Sequence, residues 1–164
     1  MSGTHHNTPD PTRIVADADV LATDLLVGGE ARQALDVIWE HSWLTLVASD
    51  PLLDATEATI GSLADGSLAA HWRERLEEWR CRVDQEPGDH PGLASAYRGN
   101  AAHLLSFDER LTSVTGGANL RKHLAVSVRS PKAFVAIFSA EQVWPEVNNT
   151  EYPGPDRDSR AESV

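Results

Sequence analysis

Short β-prone runs alternate with segments of helical period along most of this chain, and that alternation restricts the folds open to it more than any other feature. RIVA (13–16) is β-prone and leads into an apolar helix start at Val20–Leu26. Gly28-Gly29 then breaks the chain before ARQALDVIWEH, where Ala31, Ala34, Leu35 and Ile38 recur at helical spacing. WLTLVA (43–48) reads as a buried strand, and Ser49 or Asp50 can cap the next helix with Pro51 in its first turn. That helix carries Leu52, Leu53, Thr56, Ile60 and Leu63 on one face. Residues 67–80 form another, with Leu68, Trp72, Leu76 and Trp79 one helical turn apart. A short strand at Cys81–Val83, the turn signal QEPGDHPG and a helix over 91–99 follow. Strand HLLS (103–106), helix DERLTSV, strand LAVSV (124–128) and helix PKAFVAIFSAEQVW complete the series. Alternating βα units imply an α/β protein, a three-layer α/β/α domain with a central parallel sheet covered on both faces by helices. Ligands of such sheets bind beyond the carboxyl ends of the strands, where the strand order reverses.

The 164 residues suit a single domain. A domain of this size hides ~70% of the surface its unfolded chain exposes. Residues 1–12, with Pro9 and Pro11, read as a flexible tail, 13–144 as the domain, and 145–164 as a second tail, acidic and interrupted by Pro and Gly. No apolar run approaches the ~20 residues needed to span a bilayer. The first residues lack the charged and apolar regions of a secretory signal, which points to the cytoplasm and to no membrane partner. Cys81 is alone, so an internal disulfide and a cysteine-based zinc site are excluded.

The net charge is −11, from 25 acidic against 14 basic residues, and Lys122 and Lys132 are the only lysines. Acidic excess ordinarily argues against nucleic-acid partners, since phosphate must be met by positive charge. In a salt-loaded cytoplasm the same excess keeps the surface hydrated, and at molar salt the Debye length falls to ~3 Å, so global charge hardly repels a polyanion. The composition is that of a halophile and leaves an RNA substrate open.

Three sequence-distant acids stand near strand ends or in the loops leading to them. Asp17 directly follows RIVA, with Asp19 two residues on; Asp108 lies two residues beyond HLLS; Asp89 sits in the loop GDHP before the helix that leads to HLLS. If the first and fourth strands are neighbours, these carboxylates converge. Two like charges ~4 Å apart repel by ~1 kcal/mol in water and by several times more near a protein surface. Either some are protonated or a hard cation sits among them. Mg²⁺ and Mn²⁺ suit carboxylate and water ligation, whereas zinc would recruit histidine or cysteine. Such a pocket can activate a water and neutralise charge on a phosphodiester. Each aspartate taken singly can also be a helix cap.

The order of these pieces resembles the PIN domain nucleases, and the composition would make the chain a haloarchaeal-type member. IVADADVL is similar to that family's opening strand, which places the first acid at Asp17 and a supporting position at Asp19. GDHPGLASA resembles its third motif, with the acid at Asp89 and core contacts at Leu93 and Ala96. HLLSFDERL resembles its strand-Ser/Thr-x-Asp segment, with Asp108 as the acid and Ser106 as a supporting hydroxyl. VSVRSPKAFVAIF is similar to its closing strand and helix, so the likeness spans about residues 13–140. The family's usual glutamate, six residues past a serine, falls on Ala55 here; Asp54 and Glu57 are the nearby acids that could substitute. The resemblance implies a PIN-like fold and a Mg²⁺- or Mn²⁺-dependent endoribonuclease. Asp17, Asp89 and Asp108 would hold the metal, Asp54 or Glu57 would complete the set, and the products would carry a 5′-phosphate and a 3′-hydroxyl. It also implies a toxin of a toxin–antitoxin pair or an RNA-processing nuclease, with RNA as substrate, an antitoxin protein as partner, and a homodimer.

The departure at Ala55 motivates a second expectation, a catalytically degenerate PIN-like domain that binds RNA or a protein partner. A third takes DADVL as the phosphatase motif Asp-x-Asp, but Leu21 stands where its hydroxyl residue belongs and both lysines lie late in the chain. Trp39, Trp43, Trp72 and Trp79 read as packing residues, and His90 as a helix-entry residue before a substrate contact. Arg98, Arg110, Arg121 and Arg129 could meet phosphate locally or simply pair with acids.

Overall fold

The computed structural model of the protein describes residues 8–86, 88–112 and 126–158. Its elements run β1 (Asp10–Ala16), α1 (Ala18–Leu26), α2 (Gly29–Trp39), β2 (Thr45–Ser49), α3 (Asp50–Leu63), α4 (Gly66–Trp79), β3 (Arg80–Val83) and α5 (Pro91–Arg98). They continue through β4 (Ala101–Leu105), α6 (Glu109–Thr112), β5 (Ser127–Arg129), α7 (Pro131–Ile137) and α8 (Ala140–Val147). The five strands form one all-parallel sheet in the order β3-β2-β1-β4-β5, flanked by helices as a three-layer α/β/α fold. Ile14, Val15 and Ala16 of β1, Leu46, Val47 and Ala48 of β2, and Leu104 and Leu105 of β4 are all buried. Consecutive buried residues, rather than alternating ones, are the mark of strands covered on both faces. Among the described residues no helix is long and apolar enough to cross a membrane.

The strand order reverses between β1 and β4. The chain builds β1, β2 and β3 outward on one side, then α5 carries it back to β4 on the other side of β1. Register pairs Ala16 with Leu105, so the residues that follow each strand, Asp17 and Ser106, leave the sheet side by side. The first and fourth strands are therefore neighbours, as convergence of the acids requires. Glycine makes the close packing of α5 possible: a Cβ on Gly99 would fall 2.4 Å from Val47 Cγ1.

Polar residues at strand ends start the following helices. Ser49 Oγ accepts from Leu52 N (3.2 Å) and Ser130 Oγ from Ala133 N (3.2 Å). Such caps satisfy amide donors that the first helical turn leaves free. The single helix expected over PKAFVAIFSAEQVW is instead two. Phe138 leaves the helical conformation and stacks on Phe134 (ring centroids 4.8 Å apart), and Ser139 caps α8. His103 lies edge-on to both phenylalanines, and burial, helped by Arg129, pushes its pKa down to about 4.

Both expected tails are shorter than the sequence suggests. β1 begins at Asp10, inside the 1–12 segment, with Asp10 N bonded to Asn100 O. At the other end, residues 145–147 complete α8, and 148–158 pack against α2 and the turn before β2 rather than forming a loose extension. Tyr152 Oη meets His41 Nε2 (2.8 Å), and Asp156 accepts from Ser42 N (2.7 Å). Arg157 donates to Trp39 O (2.6 Å) and lies over the Trp79 ring (4.9 Å to its centroid). A guanidinium at the carboxyl end of α2 satisfies free carbonyls and complements the helix dipole. The polar, Pro/Gly-interrupted composition hid this because the segment docks through polar caps instead of an apolar stripe. The expected strand over 124–128 is observed as Ser127–Arg129; residues 124 and 125 lie outside the described residues, as do 1–7 and 159–164.

Candidate functional site

At the carboxyl edge of β1 and β4, two three-residue loops clasp one another. Asp17 N donates to Leu105 O (2.8 Å) and Ser106 N to Arg129 O (3.0 Å), so both loops start in register from the sheet. Ser106, fully buried, donates its hydroxyl to Asp17 Oδ2 (3.2 Å) and accepts from Asp108 N (3.0 Å). Phe107 N donates to Asp19 Oδ2 (3.0 Å). Asp17 also caps α1, with Oδ1 accepting from Ala18 N (2.9 Å). The capping role and the cluster role thus coexist in one side chain. The supporting positions expected at Asp19 and Ser106 are the two that tie the loops together.

Electrostatics single out Asp19. Its pKa is raised, first by burial and then by the charges of Asp17 and Asp108. Its Oδ1 is buried with no hydrogen-bond partner among the described residues. An anionic oxygen in that state is costly unless a proton or a cation meets it. Asp108 is held on the other side of its ordinary value, chiefly by hydrogen bonds from Arg110, whose Nη2 is 3.2 Å from Oδ2. Arg110 is therefore an acid partner, and so is Arg98, 3.3 Å from Glu86. Arg129 contributes its carbonyl, and Arg121 lies outside the described residues.

The loop before α5 enters the site through His90 rather than Asp89. His90 Nδ1 accepts from Leu93 N (3.3 Å) as the helix cap, and Nε2 lies 3.7 Å from Asp17 Oδ2. Asp89 is exposed, and its main-chain carbonyl accepts from Gln85 Nε2 (3.1 Å). Gln85 in turn accepts from Ser49 Oγ (2.7 Å), while Ser95 Oγ accepts from Ser49 N (3.0 Å). The end of β2 thus fixes the loop that carries Asp89 and His90. Gly92 lets the first turn of α5 close on the cluster, since a Cβ there would lie 2.9 Å from Asp17 Oδ1.

Asp54 and Glu57 belong to another network. Arg73 Nη1 lies 2.7 Å from Asp54 Oδ1 and 3.0 Å from Glu57 Oε1, with Glu77 2.8 Å from Nε. Arg80 extends the lattice to Glu77 and, at 2.6 Å, to Asp50, which Arg82 meets at 3.0 Å. The arginines hold Asp50 down at about 2. Both acids offered as substitutes for the residue missing at Ala55 are therefore bound to arginine on α4. Among the described residues, no group of three or more His, Cys, Asp or Glu side chains is arranged to hold a metal ion. Mg²⁺ is commonly held by only one or two carboxylates and several waters, so this arrangement still suits it. The orphaned Asp19 Oδ1 beside Asp17 and Asp108 is the feature that fits a hard cation.

Gly92, Gln85 and the His90–Asp17 approach were not singled out as site features from sequence. A glycine at the second position of a Pro-started helix is the one local signal available for them.

Fold and site together define an α/β/α domain with an acidic cluster at the reversal point of a parallel sheet. The chain belongs to DUF7384, a family of unknown function, whose model matches residues 8–160. No curated protein and no solved structure matches it significantly.

Proposed function

We propose that this protein is a PIN-type, Mg²⁺- or Mn²⁺-dependent endoribonuclease that hydrolyses RNA phosphodiester bonds. The observation that carries this reading is the clasp of residues 17–19 on residues 106–108, which leaves a buried carboxylate oxygen of Asp19 without a partner among the described residues, beside two further acids. Asp17, Asp19 and Asp108 are the residues that would hold the metal. Bound there, the ion would acidify a water and offset charge on the phosphodiester. Ser106 keeps Asp17 and the Asp108 main chain at a common level, so the two carboxylates would present to one ligand. Asp89 would reach the site through water or through movement of its loop. RNA substrate, antitoxin partner, homodimer and cytoplasmic location belong to the same reading.

The test is cleavage of single-stranded RNA at molar salt with Mn²⁺. Wild-type protein should cleave, and Asp17→Asn should lose at least about 100-fold in rate, the scale of losing one electrostatic contact made to the transition state. Equal rates for the two proteins would refute the proposal.

A second reading draws on the capture of Asp54 and Glu57 by Arg73 and on the exposure of Asp89. With those acids out of the cluster, the domain would bind RNA or a protein partner without turnover. RNA retention on the wild-type protein with no Mn²⁺-dependent cleavage is its expected result.

A further inference from the structure

We infer that α8 and the segment after it, residues 139–158, form one hinged arm that undocks as a unit while the rest of the fold stays intact, with Arg157 as its latch. The inference stands apart from the nuclease reading and draws on none of the residues of the acidic cluster.

The arm has no core of its own. No residue from 139 to 158 is buried, and α8 packs only lightly on the other elements. Trp144 Nε1 donates to Thr150 O (2.8 Å), which ties α8 to the segment behind it. Phe138 breaks the helix between α7 and α8 while its ring stays stacked on Phe134, so the chain has a fixed pivot where the arm begins.

A short set of polar contacts holds the arm down. The amides of Asp156 and Arg157 donate to Glu40 O (2.9 and 3.2 Å), Tyr152 Oη meets His41 Nε2, and Asp156 accepts from Ser42 N. Arg157 adds a bond to Trp39 O and the stack on Trp79. It is the only lysine or arginine of the arm, against Glu141, Glu146, Glu151, Asp156 and Asp158. Glu40 on the docking side, with Glu141 and Asp156, adds like charge around Tyr152. Without the guanidinium, acid would face acid.

Docking also leaves donors unmet. Trp43 Nε1, on a ring that stands edge-on to Trp144, is buried without a hydrogen-bond partner among the described residues, and so is Arg75 Nε. A buried donor without a partner forfeits its hydration, so water admitted on opening offsets part of what undocking loses. Arg75 lines a recess between α1, α2 and α4 together with Asp24, Trp39, Trp72, Leu76 and Trp79. Trp39 and Trp79 are therefore both the seat of the latch and two walls of this recess. Undocking frees both walls and bares the recess to solvent.

Hydrogen exchange of the full chain in low urea tests the inference. The amides of Val143, Asn148 and Asp156, bonded to Ser139 O, Trp144 O and Glu40 O, should exchange through one shared opening with little urea dependence. They should exchange at least about 100-fold faster than the amides of β1, which need global unfolding. Separate urea responses for α8 and Asp156, or one rate for the arm and β1, would overturn it. Arg157→Met should speed exchange of the arm about tenfold further, the scale of losing a charge-assisted hydrogen bond and a cation–π contact, and leave β1 unchanged. Unchanged rates in the arm would refute the latch. The same variant should enhance the emission of anilinonaphthalenesulfonate over that seen with wild type, with far-ultraviolet circular dichroism unaltered. Emission equal to wild type would refute the claim that the docked arm shields the recess.

Discussion

Two acidic regions of this molecule are built from the same residue types and behave oppositely. On α3, α4 and β3, Asp50, Asp54, Glu57 and Glu77 are laced by Arg73, Arg80 and Arg82, and Asp50 is pulled down to about 2. At the end of β1 and β4, Asp17, Asp19 and Asp108 share a serine, a backbone amide and one exposed arginine, and Asp19 is pushed up. The first region neutralises itself with protein charge. Among the described residues, the second has only the exposed Arg110 and the His90 ring beside its carboxylates, which leaves negative charge for a further partner to meet. Counting acids cannot separate these cases; the disposition of arginines does.

Removing Arg80 should break the contrast most strongly. Its side chain is 2% exposed and serves Asp50, Glu77 and the Ala48 carbonyl. Arg80→Met should cost about 2–3 kcal/mol in urea unfolding, below the full loss for a buried pair because its partners are about 40% exposed. Arg110→Met, at a solvent-exposed pair, should leave the urea midpoint essentially where it is in the wild type. Equal effects would erase the distinction between the two regions.

Gly92→Ala should come next, at about 1–2 kcal/mol, because a methyl group 2.9 Å from Asp17 Oδ1 must displace either α5 or the carboxylate. The same variant should weaken Mn²⁺ binding, measurable by electron paramagnetic resonance. Retained affinity would mean that Asp17 is not held where the cluster requires.

The finest comparison is in pH. Asp50 lies below its ordinary value of 3.8, so its contribution to stability is complete above 3.8 and is lost as pH falls toward about 2. Asp19 is shifted the other way, so its contribution is present below 3.8 and is lost as pH rises through its folded value. At neutral pH and without metal, Asp50→Asn should therefore destabilise by ~1 kcal/mol after allowance for solvent exposure, and Asp19→Asn should stabilise by up to ~1 kcal/mol. Unfolding free energies of both variants across pH 2–7 would check the opposite signs.

Much of the architecture was legible because strand and helix periods differ so plainly. The parallel sheet and the positions of Asp17, Asp19 and Asp108 past their strands follow from where hydrophobic runs stop; the adjacency of β1 and β4 is a condition that the sheet order meets, and Ser106 enters through the family resemblance alone. The rest depends on three-dimensional pairing that spacing does not encode. Asp54 and Glu57 lie near the right place in sequence, but Arg73 sits 16 or more residues away and claims both. Asp89 matches a motif, yet Gln85 and the His90 cap turn the imidazole toward Asp17 instead. The last segment reads as a tail because Tyr152, Asp156 and Arg157 dock by hydrogen bonds to α2, leaving no apolar pattern to detect.

The central claim is that the uncompensated cluster, and not the arginine-laced one, takes a divalent cation. Mn²⁺ binding followed by electron paramagnetic resonance in wild type, Asp19→Asn and Asp54→Asn decides it. Saturable binding that weakens by at least about tenfold in Asp19→Asn, as expected for loss of a ligand-shell carboxylate, and is unchanged in Asp54→Asn is the predicted result. No saturable binding to wild type, or equal losses in the two variants, would contradict it.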